Sequence, residues 1–218
     1  MLRKMGKYLT LVRVMRFSVI TGHLSMLLVC ILLCLLSRFP GFEMRFFSTA
    51  LQLFIPFLGA FVSLSFSSAV WSPACRDMYL SLPLSDVFLG SGHVVFAWIC
   101  FCPVMAIHLA WASRLIGIPF DPQLLILLMS QTLFYGSLSF LIMIISGSIG
   151  FSMSMGLAYL LIGILTFSDM PPWFRIYPDL LEWPRGLPVR HSILSALAWS
   201  VCFLGAGQIC VRRKRRSH

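Results

Sequence analysis

The chain has 218 residues, 59% of them hydrophobic and only 11% charged, with seventeen basic against seven acidic side chains and a mean hydropathy of +0.90. A water-soluble domain carries about twice that share of charge, so the composition excludes one and makes the bilayer the solvent, with backbone polar groups satisfied inside helices. The net charge of +10 does not indicate nucleic acid, because the cations cluster beside apolar runs, where basic residues set topology and meet anionic headgroups.

Taken in chain order, residues 1–17 read as a basic interfacial helix. Met5, Tyr8, Leu9, Val12 and Met15 fall on one side of it, and Arg3, Lys7, Thr10 and Arg13 on the other. The start resembles a signal anchor rather than a cleaved signal peptide, since the first apolar run is of spanning length and ends in LSRFPG without a small-residue cleavage site. The apolar pattern predicts six spans, at about 18–37, 46–70, 91–113, 123–145, 149–168 and 191–210. Breaks rich in proline, glycine and charge separate them. The expected fold is therefore all-α: one polytopic transmembrane domain over 1–218, with a six-span bundle at 18–210 and a basic cytoplasmic tail at 211–218.

Orientation follows from the basic residues. With the N-terminus inside, the cytoplasmic segments hold eleven of the seventeen and the external segments six, so both termini are expected in the cytoplasm of a cell-membrane protein. Small residues recur at every fourth position in three spans: Gly59, Ser63 and Ser67; Ser148, Ser152 and Gly156; Ala198, Cys202 and Ala206. Such stripes let helix backbones approach closely. Six of the seven cysteines lie in apolar stretches. Cys30/Cys34 and Cys100/Cys102 read as small packing residues rather than metal ligands, so no metal site is expected.

No acidic or basic residue falls deep in a predicted span; the polar exceptions are Gln52, Gln131, Gln208 and His108. Ion-coupled transporters and proton pumps place ionisable groups on their pathways, so the composition favours a hydrophobic or amphipathic cargo. An enzyme reading rests on GSGH at 90–93 with Arg185 and His191, which resembles two motifs of membrane lipid phosphatases that use a histidine pair. The basic first motif of that family is missing, Ser195 stands where its acidic residue belongs, and the topology sets His93 and His191 on opposite sides of the membrane. There is also no phosphate-cradling G-x-x-x-x-G-K-[ST] loop, so any ATP hydrolysis must come from another polypeptide.

Between the second and third spans the chain reads WSPACRDMYLSLPLSDVFLG, a short amphipathic stretch on the expected cytoplasmic side. Met78, Leu80, Leu82, Leu84, Val87 and Phe88 offer apolar surface, and Asp77, Ser81, Ser85 and Asp86 polar surface. Pro83 interrupts a single long helix, and Ser85 is placed to cap a new turn. A segment of this kind can dock on a soluble partner while tied to two spans.

The run Tyr79–Leu80–Ser81–Leu82–Pro83–Leu84–Ser85, just before a span, resembles the phrase that ends the coupling helix in membrane subunits of type-2 ABC (ATP-binding cassette) exporters. The resemblance implies a non-catalytic permease subunit with a basic interfacial helix, six spans, and a cytoplasmic coupling helix between spans 2 and 3. It implies no cofactor in this chain, with ATP and Mg held by a separate ATPase subunit, and a permease homodimer or heterodimer in the bilayer. Contact with the ATPase would fall to Arg76, Asp77, Tyr79, Leu80, Leu82, Pro83, Leu84 and Ser85. The proline- and tryptophan-rich segment 169–190 is similar to the external segment of that family, which implies an extracellular gate involving Trp173, Tyr177, Pro178 and Trp183. The implied cargo is a peptide, lipid-like molecule or antibiotic. The membrane subunit of a haem-handling exporter in cytochrome c maturation has a similar layout, and it and the lipid phosphatase-like enzyme are the alternatives.

Overall fold

The computed structural model of the chain describes residues 20–38, 44–71, 87–117, 120–165, 176–177 and 186–216. All regular structure among them is helical: α1 (Ile20–Leu36), α2 (Met44–Trp71), α3 (His93–Ile116), α4 (Pro122–Ser146), α5 (Ile149–Leu165) and α6 (Gly186–Arg216). A widened helical turn, Phe88–Gly92, leads into α3. Four helices, α2, α3, α4 and α6, are long and apolar enough to cross a membrane, and α1 and α5 are shorter apolar helices. The expected interfacial helix at 1–17 and coupling segment at 76–85 lie outside the described residues.

Local chemistry fixes the helix ends. Asp121 caps α4, its carboxylate accepting the Gln123 N–H at 2.8 Å, and Pro122 follows at the first helical position, where its missing N–H costs nothing. Gly117 and Gly147 close α3 and α4 with φ of 78° and 70°, a left-handed geometry in which a Cβ would be strained. Pro56 and Pro103 sit inside α2 and α3, where each removes one N–H from the helical hydrogen-bond ladder.

Successive helices alternate in direction. One apolar cluster joins Cys30 and Leu33 near the end of α1 to Phe47 and Leu51 near the start of α2, Leu109 and Ala112 near the end of α3, and Leu124 near the start of α4. A second gathers the other ends: Leu64 with Trp71 of α2, Val94 at the start of α3, Met143 and Ile144 at the end of α4, Met153 early in α5, and Val211 late in α6. The helix ends flanking residues 72–86 therefore share one end of the bundle with the basic run Arg212–Arg216. We call this the basic end.

α4 is central and packs most extensively against α2 and α6. Small residues from two of the expected stripes pack against α4, one stripe on α2 and the other on α5. A Cβ on Gly59 would stand 2.1 Å from the Thr132 methyl, and one on Gly136 would stand 2.9 Å from the Ser63 hydroxyl, so α2 and α4 nearly touch backbones. On the other flank, Gly156 faces Ser139, and the Ser152 hydroxyl donates to the Ser139 carbonyl. The third stripe differs: Ala198 and Cys202 are exposed on the outward face of α6.

α6 also continues to Arg216, through residues that the sequence pattern assigns to a tail. Its last turn carries Arg213, Lys214, Arg215 and Arg216, cations that offset the negative pole of a helix C-terminus. The Lys214 ammonium also donates to the Ile144 carbonyl at the end of α4. The basic run is thus helical and docked.

Candidate functional site

Two polar clusters interrupt the apolar bundle. The first lies at mid-height and begins with Gln131, roughly 14 Å along α4 from Pro122 at 1.5 Å per residue. Its Nε2 donates to the Gln52 carboxamide oxygen on α2 at 3.3 Å and to the backbone carbonyl of Ile176 at 3.1 Å. One turn further along α4, the Tyr135 hydroxyl accepts a 2.8 Å hydrogen bond from Tyr177. Gln52, Gln131, Tyr135, Ile176 and Tyr177 are all buried.

Tyr135 lies at the middle of the twenty-five-residue α4. Residues 176–177, from the connection between α5 and α6, therefore reach the centre of the bundle. Gly163 of α5 makes room for them: a Cβ there would come within 2.8 Å of the Tyr177 ring. The surrounding cage is aromatic. The Phe134 ring stands 5.3 Å from Tyr159 and 5.6 Å from Phe203, and the Tyr135 ring 6.1 Å from Tyr159 and 6.5 Å from Tyr177. Such pairs add about 0.5–1.5 kcal/mol each beyond their buried area.

Polar satisfaction within this cluster is incomplete. Among the described residues, Gln52 Nε2, Gln131 Oε1 and the Thr132 hydroxyl have no hydrogen-bond partner, although Gln52 is only 1% exposed and Gln131 0%. A buried unpaired polar group costs about 1–3 kcal/mol, so a further polar partner at either carboxamide would be stabilising.

The second cluster lies at the basic end. Ser67 on α2 has its hydroxyl 3.0 Å from the Ser63 carbonyl and 2.7 Å from His93 Nε2, so it joins the two. The His93 ring meets Phe140 edge-on at 5.3 Å. Close by, the Gln208 carboxamide oxygen on α6 accepts from the Ser91 backbone N–H at 2.9 Å and from its hydroxyl at 3.1 Å. This satisfies a donor that the first turn of a helix leaves without an internal partner. Gly90 lets Gln208 approach closely, since a Cβ there would lie 2.0 Å from Gln208 Oε1 unless that side chain moved, and its φ of −103° and ψ of −119° break the helical path. Residues 87–93 thus form a kinked elbow held to α2 through Ser67 and to α6 through Gln208.

No family model, curated protein or solved structure matches this chain.

Of the four gate residues taken from the sequence, Tyr177 is described, and it is a buried core residue. Trp173, Pro178 and Trp183 lie outside the described residues, as do Arg76, Asp77, Tyr79, Leu80, Leu82, Pro83, Leu84 and Ser85. The polar exceptions of the spans are sorted by contact: Gln52 with Gln131, Gln208 with Ser91, and His108 with the Val104 carbonyl of its own helix, 2.7 Å from its Nδ1, and with the His23 ring of α1 at 5.3 Å. His93 and His191 are far apart. His93 sits beside the Ser91–Gln208 contact, and His191 precedes Gln208 by seventeen positions on α6, roughly 25 Å along the axis. No group of three or more metal-binding side chains occurs among the described residues.

Sequence reasoning passed over Tyr135 and Tyr159. The signal was present, because a tyrosine inside an apolar run must find a partner for its hydroxyl. Three of the chain's five tyrosines converge on this one place.

Proposed function

We propose that this protein is the transmembrane permease subunit of an ABC exporter, moving a hydrophobic or amphipathic substrate and driven by a separate ATPase subunit. The observation that carries the reading is the alternation of the helices. The ends on either side of residues 72–86 sit at the basic end, which the positive-inside rule assigns to the cytoplasm, and the connection between them contains the phrase Tyr79–Ser85. All six apolar helices then act as spans, α1 and α5 among them.

In this reading the ATPase pair closes on ATP and pushes on Arg76–Ser85. The push reaches the bundle through the kinked elbow at 87–93. There Ser91 bears on Gln208 of α6 and His93 on Ser67 of α2, so a displacement of the elbow tilts two helices together. α2 and α6 both flank the mid-height Gln131–Tyr135 cluster, into which Ile176 and Tyr177 are inserted. Tyr177 then acts as the buried part of the external gate, with two permeases facing each other as a homodimer or heterodimer.

The separation of His93 from His191 supports a permease over a phosphatase that pairs them. Purification from native membranes tests the proposal: an ABC ATPase subunit is expected to co-purify stoichiometrically, and its consistent absence would argue against the reading.

A further inference from the structure

We propose that Gln131, Gln52 and Tyr135 form a binding site for a peptide unit bearing an aromatic hydroxyl side chain, and that Ile176–Tyr177 occupies it as an internal competitor. The protein's own backbone shows how such a ligand sits. A peptide carbonyl, that of Ile176, accepts from Gln131 Nε2 at 3.1 Å, and the next side chain places its phenol 2.8 Å from Tyr135. Both contacts are made by a segment outside the helices, on groups fixed to α4, and an incoming dipeptide can reproduce both.

The unpaired atoms point the same way. Gln52 Nε2 is a donor and Gln131 Oε1 an acceptor, both unpartnered on buried carboxamides that already touch each other. Together they offer the complement of an amide, a carbonyl to receive the donor and an N–H to fill the acceptor. The internal segment leaves this second pair unused, so a peptide that fills it gains contacts that Ile176–Tyr177 does not make. The walls suit the side chains, with Phe134, Tyr159 and Leu160 forming an apolar and aromatic lining and Gly163 leaving space for a ring. In transport terms this deepens the exporter reading and rests on it, by naming peptides as the cargo class. The binding claim stands apart from the power source.

The test uses the full chain in lipid nanodiscs and radiolabelled N-acetyl-isoleucyl-tyrosine amide, with equilibrium binding as the readout. Removing a competitor tightens apparent affinity by the factor by which the open state grows, so Tyr177→Ala is expected to bind the dipeptide at least tenfold more tightly than the wild type. Tyr177→Phe, which loses only the hydroxyl contact, is expected to gain about fivefold, and it serves if the alanine variant fails to fold. In the Tyr177→Ala background, Gln131→Leu is expected to lose at least tenfold. In the same background Tyr135→Phe, which preserves shape, is expected to erase the preference for isoleucyl-tyrosine over isoleucyl-phenylalanine amide. Absence of saturable binding in every form, or equal binding with and without Tyr177, overturns the proposal. Neither result bears on whether an ATPase co-purifies. Conversely, dipeptide binding by a protein that never yields an ATPase keeps the site and removes the exporter.

Discussion

At the scale of single residues, close contact decides which small side chains matter. Gly59 and Gly205 are both helical glycines, but a Cβ on Gly59 would enter Thr132, while one on Gly205 meets nothing within 4 Å. Gly59→Ala is therefore expected to destabilise the bundle by about 1–3 kcal/mol through overpacking. Gly205→Ala is expected to be neutral or to stabilise by up to about 1 kcal/mol, because alanine loses less chain entropy in a helix. Thermal unfolding in detergent distinguishes them, and equal midpoints would contradict the contact assigned to Gly59. The sequence made Gly59, Ser63, Gln52, Gln131 and Gln208 visible as departures from a hydrocarbon background. It did not reveal their partners, because a spacing of four specifies a helix face and leaves open which neighbour meets it. Ala198 and Cys202 illustrate the limit, since the same spacing lies on an exposed face of α6.

At the scale of elements, the bounds of the apolar runs were the most legible part of the chain. Asp121–Pro122 and Gly147 bound α4 within a residue or two of the span that the apolar pattern predicts. The end of α6 was not legible in that way. A run of five basic residues reads as a solvated tail, and it forms helix because its charges complement the helix C-terminus and because Lys214 reaches the carbonyl of Ile144. Lys214→Glu reverses both effects and is expected to loosen the last turn by about 1 kcal/mol or more, read as faster amide hydrogen exchange over Val211–Arg216. Unchanged exchange would mean that the docking contributes nothing. The proposed coupling element has its own test: Leu82→Asp combined with Leu84→Asp is expected to abolish substrate-stimulated ATPase activity while membrane insertion stays normal. Full coupling in that double variant would reduce the segment to an ordinary loop.

At the scale of the whole molecule, hydropathy gave the apolar helices, four of them long and apolar enough to cross a membrane, and the described helices alternate in direction as consecutive spans would. The position of Ile176 and Tyr177 was beyond reach of the sequence. Proline and tryptophan in segment 169–190 mark irregular backbone, yet nothing in that composition tells a surface cap from a segment reaching the centre of the bundle. The depth is set by two long-range contacts, Gln131 with Ile176 and Tyr135 with Tyr177, which join residues more than forty positions apart. The mechanism depends above all on residues 72–86 facing the compartment where an ATPase can grip them. Native Cys75 lies in that segment, so a variant retaining only this cysteine, with Ser168→Cys as a control for the opposite end, can be challenged with a membrane-impermeant maleimide. Cys75 is expected to react in inside-out vesicles and stay protected in intact cells, with the Ser168→Cys control showing the reverse. Labelling of Cys75 from outside intact cells would contradict the account.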